Sequence, residues 1–75
     1  MKTNYLKTAI GLFYEEIEIT IDQNPTLSKI EVGSPISFSV IRRNEEWLCT
    51  AVYRTEDGNM WQIQRQYSDE LLDVI

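Results

Sequence analysis

Histidine is absent from this sequence of 75 residues, and cysteine, proline and glycine are scarce, with one, two and three copies. Without histidine, the chain lacks the commonest general base and the commonest metal ligand at neutral pH. A single cysteine excludes an internal disulfide and a cysteine zinc cluster. The three glycines are too scattered to form a phosphate-binding loop. These absences argue against an enzyme, and no cofactor or metal is expected.

Positive charge is also in short supply. Seven Lys and Arg stand against twelve Asp and Glu, so the formal net charge is −5 at pH 7. Nucleic-acid binding needs clustered cations to displace counterions, so no direct nucleic-acid partner is expected. No carboxylate is marked as a desolvated catalytic acid. The charge balance favours a protein partner with a basic surface.

Long apolar runs are missing too. The longest, residues 9–14, contains Gly11 and is followed by Glu15, and no small-residue cleavage site of a signal peptide comes after it. No segment approaches the ~18–20 apolar residues that span a bilayer, so no membrane partner is expected. The lone Cys49, in an apolar context, fits a buried thiol in a reducing compartment. We therefore expect a cytoplasmic protein.

The sequence does contain enough apolar side chain for one small domain over residues 1–75. Hydrophobic residues make up 43% of the chain, including two Trp, four Tyr and two Phe. That content argues against a disordered acidic tail. A chain of this length buries only about 60% of the surface that its unfolded form exposes. Little area is therefore left for an elaborate site.

The beginning of the chain, residues 3–13, predicts a helix. Leu6, Ile10 and Phe13 recur at helical spacing, and residues 3 and 4 are both suitable caps. However, Gly11 weakens a helix by roughly 1 kcal/mol relative to alanine. Alternating apolar residues in the same stretch leave a strand as the alternative.

The next stretch, Glu16 to Asp22, predicts a half-buried strand with an acidic outer face. Three isoleucines alternate there with polar residues, which is the period of a sheet. Glu16, Glu18 and Asp22 would then form one row along the strand. Such rows attract a basic groove and speed its capture.

Residues 36–67 predict two hairpins in which the large apolar groups share one face. A two-residue turn at Asn44-Glu45 places Val40 opposite Cys49. For the second turn, a two-residue loop would put glutamines on the core face. A three-residue loop over 56–58 instead pairs aromatic residues with one another, and Gly58 suits its left-handed position.

The tail from Ser68 to Ile75 predicts a short helix. Ser68 is a suitable cap, two acids follow in the first turn, and Tyr67 and Leu72 are spaced to form a hydrophobic staple. The predicted fold is thus α+β and mostly β. It consists of a four-stranded antiparallel sheet with an N-terminal helix and a short C-terminal helix.

Four aromatic residues in the hairpins cluster on the core face in this register: Trp47, Tyr53, Trp61 and Tyr67. They are either the core of a small domain or a pocket for a cationic or proline-rich peptide. The chain also carries a set of residues whose spacing is similar to that of SH3-like and Tudor-like barrels: Val32-Gly33, Trp47, Ala51-Val52, Gly58 and Trp61. That resemblance implies a small barrel as the alternative fold, and an adaptor that reads a peptide through the aromatic pocket.

Three functions therefore compete. The first is a small non-enzymatic protein-binding regulator or inhibitor that acts through the acidic face of Glu16, Glu18 and Asp22. Within this class lies an acidic mimic of nucleic acid, since small phage or plasmid proteins that disable host enzymes are similar in composition. The second is the aromatic adaptor. The third is a structural homo-oligomer subunit in which an exposed edge strand pairs with a copy of itself.

Overall fold

The chain folds as an α+β structure in which helices lie on a three-stranded antiparallel sheet. A computed structural model describes residues 4–75. The elements in chain order are helix α1 (Tyr5–Asp22), a single 3-10 turn (Pro25–Leu27), strands β1 (Ser37–Arg43), β2 (Glu46–Arg54) and β3 (Met60–Ser68), and helix α2 (Asp69–Asp73). The strand order is β1-β2-β3, so β2 is central and the other two strands are edges.

Helix α1 is held against the sheet by an apolar residue at every fourth position. The buried members of this stripe are Ala9, Phe13, Ile17 and Ile21. At the N-terminus the Asn4 side chain accepts a hydrogen bond from the backbone N–H of Lys7 at 3.1 Å, which caps the helix. The predicted N-terminal helix is confirmed for the residues that the structure describes; Thr3, the other candidate cap, lies outside them.

The prediction of a strand from Glu16 to Asp22 is wrong. These residues continue α1, so the sheet has three strands and not four. The isoleucines that suggested a strand do not share a face, because Ile19 is 54% exposed whereas Ile17 and Ile21 are buried. Their four-residue spacing continues the stripe begun by Phe13, and packing against the sheet selects the helical period.

The connection between α1 and β1 crosses one end of the sheet. The helix ends before Pro25, whose ring cannot continue it. Further along, the Tyr53 hydroxyl donates a 2.6 Å hydrogen bond to the carbonyl of Val32. The N–H of Ile36 then donates to the carbonyl of Val52 at 2.7 Å. These bonds hold the connection over the end of β2.

Both hairpins have the predicted register. Val40 lies opposite Cys49 across the first, and a three-residue loop sets Tyr53 opposite Trp61 across the second. The first turn takes positive φ at both central residues, 49° and 64°, as a two-residue turn of this kind requires. Gly58 has φ 89° in the second turn, the left-handed conformation expected for it.

The core lies between the helices and one face of the sheet. Buried residues from α1, the sheet and α2 form one cluster: Ala9, Phe13, Ile17, Ile21, Cys49, Ala51, Tyr53, Ile63, Tyr67 and Leu72. The sheet is open and covered on one side, in place of the small barrel that the SH3-like spacing implied.

Helix α2 follows β3 without a connecting loop. The Ser68 side chain accepts a 3.0 Å hydrogen bond from the N–H of Leu71, which is the predicted cap. Tyr67 and Leu72, the two predicted staple residues, are both buried. The backbone N–H of Asp69 also donates to the carbonyl of Glu45 in the first hairpin turn at 2.9 Å. This bond ties the start of α2 to that turn.

The far face of the sheet is not covered by any element of residues 4–75. Its central strip is made of uncharged polar side chains, with a few aliphatic ones beside them: Ser37, Ser39, Ile41, Leu48, Thr50, Val52, Gln62, Gln64 and Gln66. None of the helices described is long and apolar enough to span a membrane.

Candidate functional site

The predicted acidic row of Glu16, Glu18 and Asp22 does not form, because the three residues lie on a helix. Successive residues on a helix turn by about 100°. Glu16 therefore points away from Glu18 and towards the sheet. There its carboxylate Oε2 accepts a 2.7 Å hydrogen bond from Nε of Arg65 in β3, which makes a salt bridge.

Glu15 takes the place of Glu16 on the outer side of the helix. Glu15, Glu18 and Asp22 are all exposed and lie three and then four residues apart, so they share one side of α1. We call these three residues the acidic stripe. The rise of about 1.5 Å per residue puts neighbouring members about 4.5 and 6 Å apart along the axis. The sequence contained the signal for Glu15, but only a helical interpretation reveals it.

The acidic stripe is unfavourable for the helix that carries it. A helix C-terminus favours cations and disfavours carboxylates, each by typically 0.3–1 kcal/mol. In α1 the first turn has no acid and the last turn has no base, and Asp22 is the final residue. Glu18 and Asp22 also repel each other at a spacing of four. No member of the stripe joins a salt bridge among residues 4–75.

Beneath Glu16 lie two buried groups that hold their protons. Burial raises the pKa of the Cys49 thiol to about 11, and the nearby Glu16 carboxylate adds to the effect. Burial and then Glu16 also raise the pKa of Tyr67, whose hydroxyl is buried without a hydrogen-bond partner in the described chain. A protonated, fully buried thiol is a weak nucleophile, so the prediction of a buried Cys49 is confirmed.

The four predicted aromatic residues do not form a shared exposed pocket. Tyr53 and Tyr67 are core residues, exposed by 1% and 3%. Trp47 and Trp61 are half-buried and lie at opposite ends of the sheet. The ring of Trp61 packs against Tyr53 with 5.9 Å between the ring centroids. The structure thus brings Tyr53 and Trp61 together, and it separates Trp47 from them.

Trp47 is part of an anchor for helix α2. Its indole Nε1–H donates to Oδ1 of Asp69 at 2.8 Å. The Arg42 guanidinium donates to both carboxylate oxygens of Asp69, at 3.3 and 2.5 Å. The guanidinium carbon Cζ of Arg42 lies 5.0 Å from the centroid of the Trp47 ring, within cation–π range. These contacts assign Trp47 and Arg42 a structural role.

Trp61 opens onto a broad surface groove. The groove has a volume of about 520 Å³ and lies between the 3-10 turn and the β2–β3 loop. Leu27 and the 63% exposed Met60 line it with Trp61. Glu56 and Asp57 add two carboxylates. The side-chain hydroxyl of Thr55 and the backbone and side-chain N–H groups of Asn59 lower the pKa of Asp57.

Neither a metal site nor a likeness to a known protein points to a function. Within residues 4–75, no three His, Cys, Asp or Glu side chains are grouped so that they could hold a metal ion. Comparisons with protein families, with curated proteins and with solved structures find nothing that matches this chain. A function must therefore be inferred from the placement of its own side chains.

Proposed function

We propose that this chain is a small non-enzymatic protein-binding regulator or inhibitor, and that it docks on a basic partner through the acidic stripe of α1. The observation that carries the proposal is the position of Glu15, Glu18 and Asp22. All three are exposed, share one side of the helix and form no salt bridge within the described chain.

The energetics of the stripe support a binding role. Carboxylates in the C-terminal half of a helix work against the helix dipole and against one another. A local arrangement that lowers stability without a compensating contact is expected at functional sites. A basic surface would relieve both effects on docking, and the long-range attraction would raise the association rate.

The same spacing bears on mimicry of nucleic acid. The charges of the stripe recur every ~4.5–6 Å along the axis, whereas one DNA strand carries a charge about every 3.4 Å. The stripe therefore resembles a sparse phosphate row of about three charges. A partner that normally binds nucleic acid is the natural target of such a row, and nucleic acid would compete for it.

The test compares two charge-matched triple variants in a pull-down from the native host's lysate, run with and without nuclease. The stripe variant is Glu15→Gln/Glu18→Gln/Asp22→Asn. The control, Glu31→Gln/Glu45→Gln/Glu70→Gln, removes the same charge from exposed positions elsewhere. We expect the wild type and the control to retain one stoichiometric protein that the stripe variant binds at least about tenfold more weakly, or 1.4 kcal/mol.

Other results would contradict the proposal. Equal capture by the two variants would remove the stripe from the binding site. Recovery of the bait alone, or of a protein that is lost with nuclease, would argue against a protein-binding regulator. The free energy of unfolding of the stripe variant should also exceed that of the wild type by about 0.3–1 kcal/mol in a denaturant titration, because the variant loses unfavourable charges.

The groove beside Trp61 favours the adaptor as a second candidate. Its aromatic wall and the Asp57 carboxylate fit the side chain of a cationic peptide, which would compete with Lys29 for the Glu56 carboxylate. A Trp61→Phe variant should then bind an arginine-containing peptide more weakly in a fluorescence-anisotropy titration, while Trp47→Phe should not. Equal binding by the two variants would exclude the groove as the peptide site.

A further inference from the structure

The two edges of the sheet differ in how open they are to further pairing. A two-residue hairpin turn closes on a hydrogen-bonded pair, here Arg43 and Glu46. Because the pattern alternates along the strand, Phe38, Val40 and Arg42 direct their backbone N–H and C=O groups away from β2. Within residues 4–75 these groups receive no backbone hydrogen bond from another element.

Over residues 37–41, edge strand β1 lacks the features that normally protect an edge. That stretch has no proline, glycine or charged residue, and the only charges of the strand, Arg42 and Arg43, lie at its C-terminal end. Ile41 is 54% exposed, and Ile36, just before the strand, is 50% exposed. The opposite edge, β3, differs in the middle of the uncovered face, where it presents three glutamines, at positions 62, 64 and 66. At the corresponding place β1 presents two serines and the exposed Ile41, so its middle is the less polar of the two.

The sequence of β1 fits an antiparallel copy of itself. A two-fold axis through Val40 brings Val40 opposite Val40 of the second copy, and Phe38 opposite Arg42 of the second copy on each side. This register pairs all three outward-facing residues, whereas a shift by two residues would leave one of them unpaired. The two Arg42 residues stay four positions apart, about 13 Å, so like charges do not meet.

We propose that β1 is a self-association edge, through which two copies join their sheets into one continuous antiparallel sheet. In this arrangement the two-fold axis is perpendicular to the sheet, so both α1 helices lie on the same side. The acidic stripes remain free, since α1 takes no part in the contact. A pairing limited to one strand buries less than a standard interface, so we expect micromolar or weaker affinity.

Two matched lysine variants test the proposal by sedimentation equilibrium from micromolar to millimolar concentration. Ser39→Lys places one positive charge per copy beside the two-fold axis, on the uncovered face of the sheet. Gln64→Lys places the same charge on the uncovered face at the other edge. Both positions are exposed, so both variants should fold, which circular dichroism verifies.

We expect the wild type and Gln64→Lys to dimerise with rising concentration, and Ser39→Lys to dimerise at least about tenfold more weakly. Amide NMR signals of Phe38, Val40 and Arg42 should shift with concentration, and those of the β3 glutamines should not. A monomer at every concentration would overturn the proposal. So would a dimer that Gln64→Lys disrupts equally, or one whose concentration-dependent shifts fall on β3.

The neutralised stripe variant separates this proposal from the protein-binding function. It should dimerise at least as well as the wild type, because the two copies then repel each other less. Loss of dimerisation in that variant would place the self-contact on α1 and overturn the assignment to β1. Loss of partner capture alone leaves the β1 edge unaffected.

Discussion

In the sheet, the residues that decide the structure are close in the chain, whereas in helix α1 they are far apart. The turn at residues 44–45 and the loop ending at Gly58 each set the register of the strands beside them. Helix α1 contains Gly11 and a run of β-branched residues, and its charges oppose its dipole. It forms because its apolar stripe packs on the sheet.

This contrast shows which part of the molecule is locally encoded and which depends on tertiary packing. Isolated helices shorter than about 12–15 residues are marginal even in alanine-rich sequences, and α1, with 18 residues, is only slightly longer. The α1 sequence is less favourable, so its helical state is expected to be lost whenever its contacts with the sheet are lost. The hairpins keep their turn preferences in either case.

The largest effect should come from removing the main contact between the two regions. Phe13 is fully buried, and its ring centroid lies 5.6 Å from that of Phe38 in β1. We expect Phe13→Ala to lower the free energy of unfolding by about 3–5 kcal/mol, measured by urea denaturation. Phe13→Leu should lose less and stay folded.

The matched control for this prediction lies on the uncovered face of the sheet. Ile41→Ala removes a similarly apolar but 54% exposed side chain, so its effect should stay within about 0.5 kcal/mol. If Phe13→Ala and Ile41→Ala unfold at the same urea concentration, α1 does not depend on packing and the contrast fails.

Alkaline pH should lower the free energy of unfolding by a smaller amount, roughly 2 kcal/mol, through groups at the contact between α1 and the sheet. Unfolded cysteine and tyrosine lose protons near pH 8.5 and 10, whereas the folded chain keeps the protons of Cys49 and Tyr67 because their pKa values are raised. The unfolded state then binds fewer protons, so stability falls as pH rises above ~8.5.

Denaturation midpoints between pH 8 and 11 test this pH dependence. Tyr67→Phe removes one ionisable group, and also a buried hydroxyl that has no partner in the described chain. It should flatten the alkaline decline while changing the stability little at pH 7. An unchanged pH profile in Tyr67→Phe would show that Tyr67 does not contribute to the decline.

These outcomes bear on what the sequence could predict. The registers of both hairpins followed from two local facts, the turn residues and the face shared by the large apolar groups. The prediction of a strand at Glu16–Asp22 was wrong because the spacing of Ile17 and Ile21 fits the two-residue period of a strand and the four-residue spacing of a helix equally well. Only the position of the sheet decides between the two periods, and the residues of this segment do not determine that position.

The candidate site was predicted in part for the same reason. Glu18 and Asp22 are exposed on the side of the helix that carries the stripe, but Glu16 is paired with Arg65, which is 49 residues away. No pattern in the sequence near Glu16 predicts that salt bridge. Glu15 becomes visible only with the helical period. The aromatic set was reduced to Trp61 because Tyr53 and Tyr67 belong to the core.

The smallest effects should come from one substitution made in both regions. A Cβ at Gly11 or Gly58 would meet no atom within 4 Å. Gly11→Ala should stabilise the chain by about 0.5–1 kcal/mol, because alanine favours a helix. Gly58→Ala should destabilise it by about 1 kcal/mol, because its φ of 89° is unfavourable for a residue with a Cβ. If the unfolding temperatures of the two variants shift in the same direction, the turn at Gly58 does not have a local origin.

The separation of the two tryptophans gives the molecule two independent optical reporters. Trp47 contacts Asp69 at the start of α2, whereas Trp61 faces the groove at the opposite end of the sheet. A chain that keeps only Trp47 would signal undocking of α2 by a change in fluorescence. A chain that keeps only Trp61 would signal movement of the connection between α1 and β1. Comparing the two emission changes would show which end of the sheet opens first.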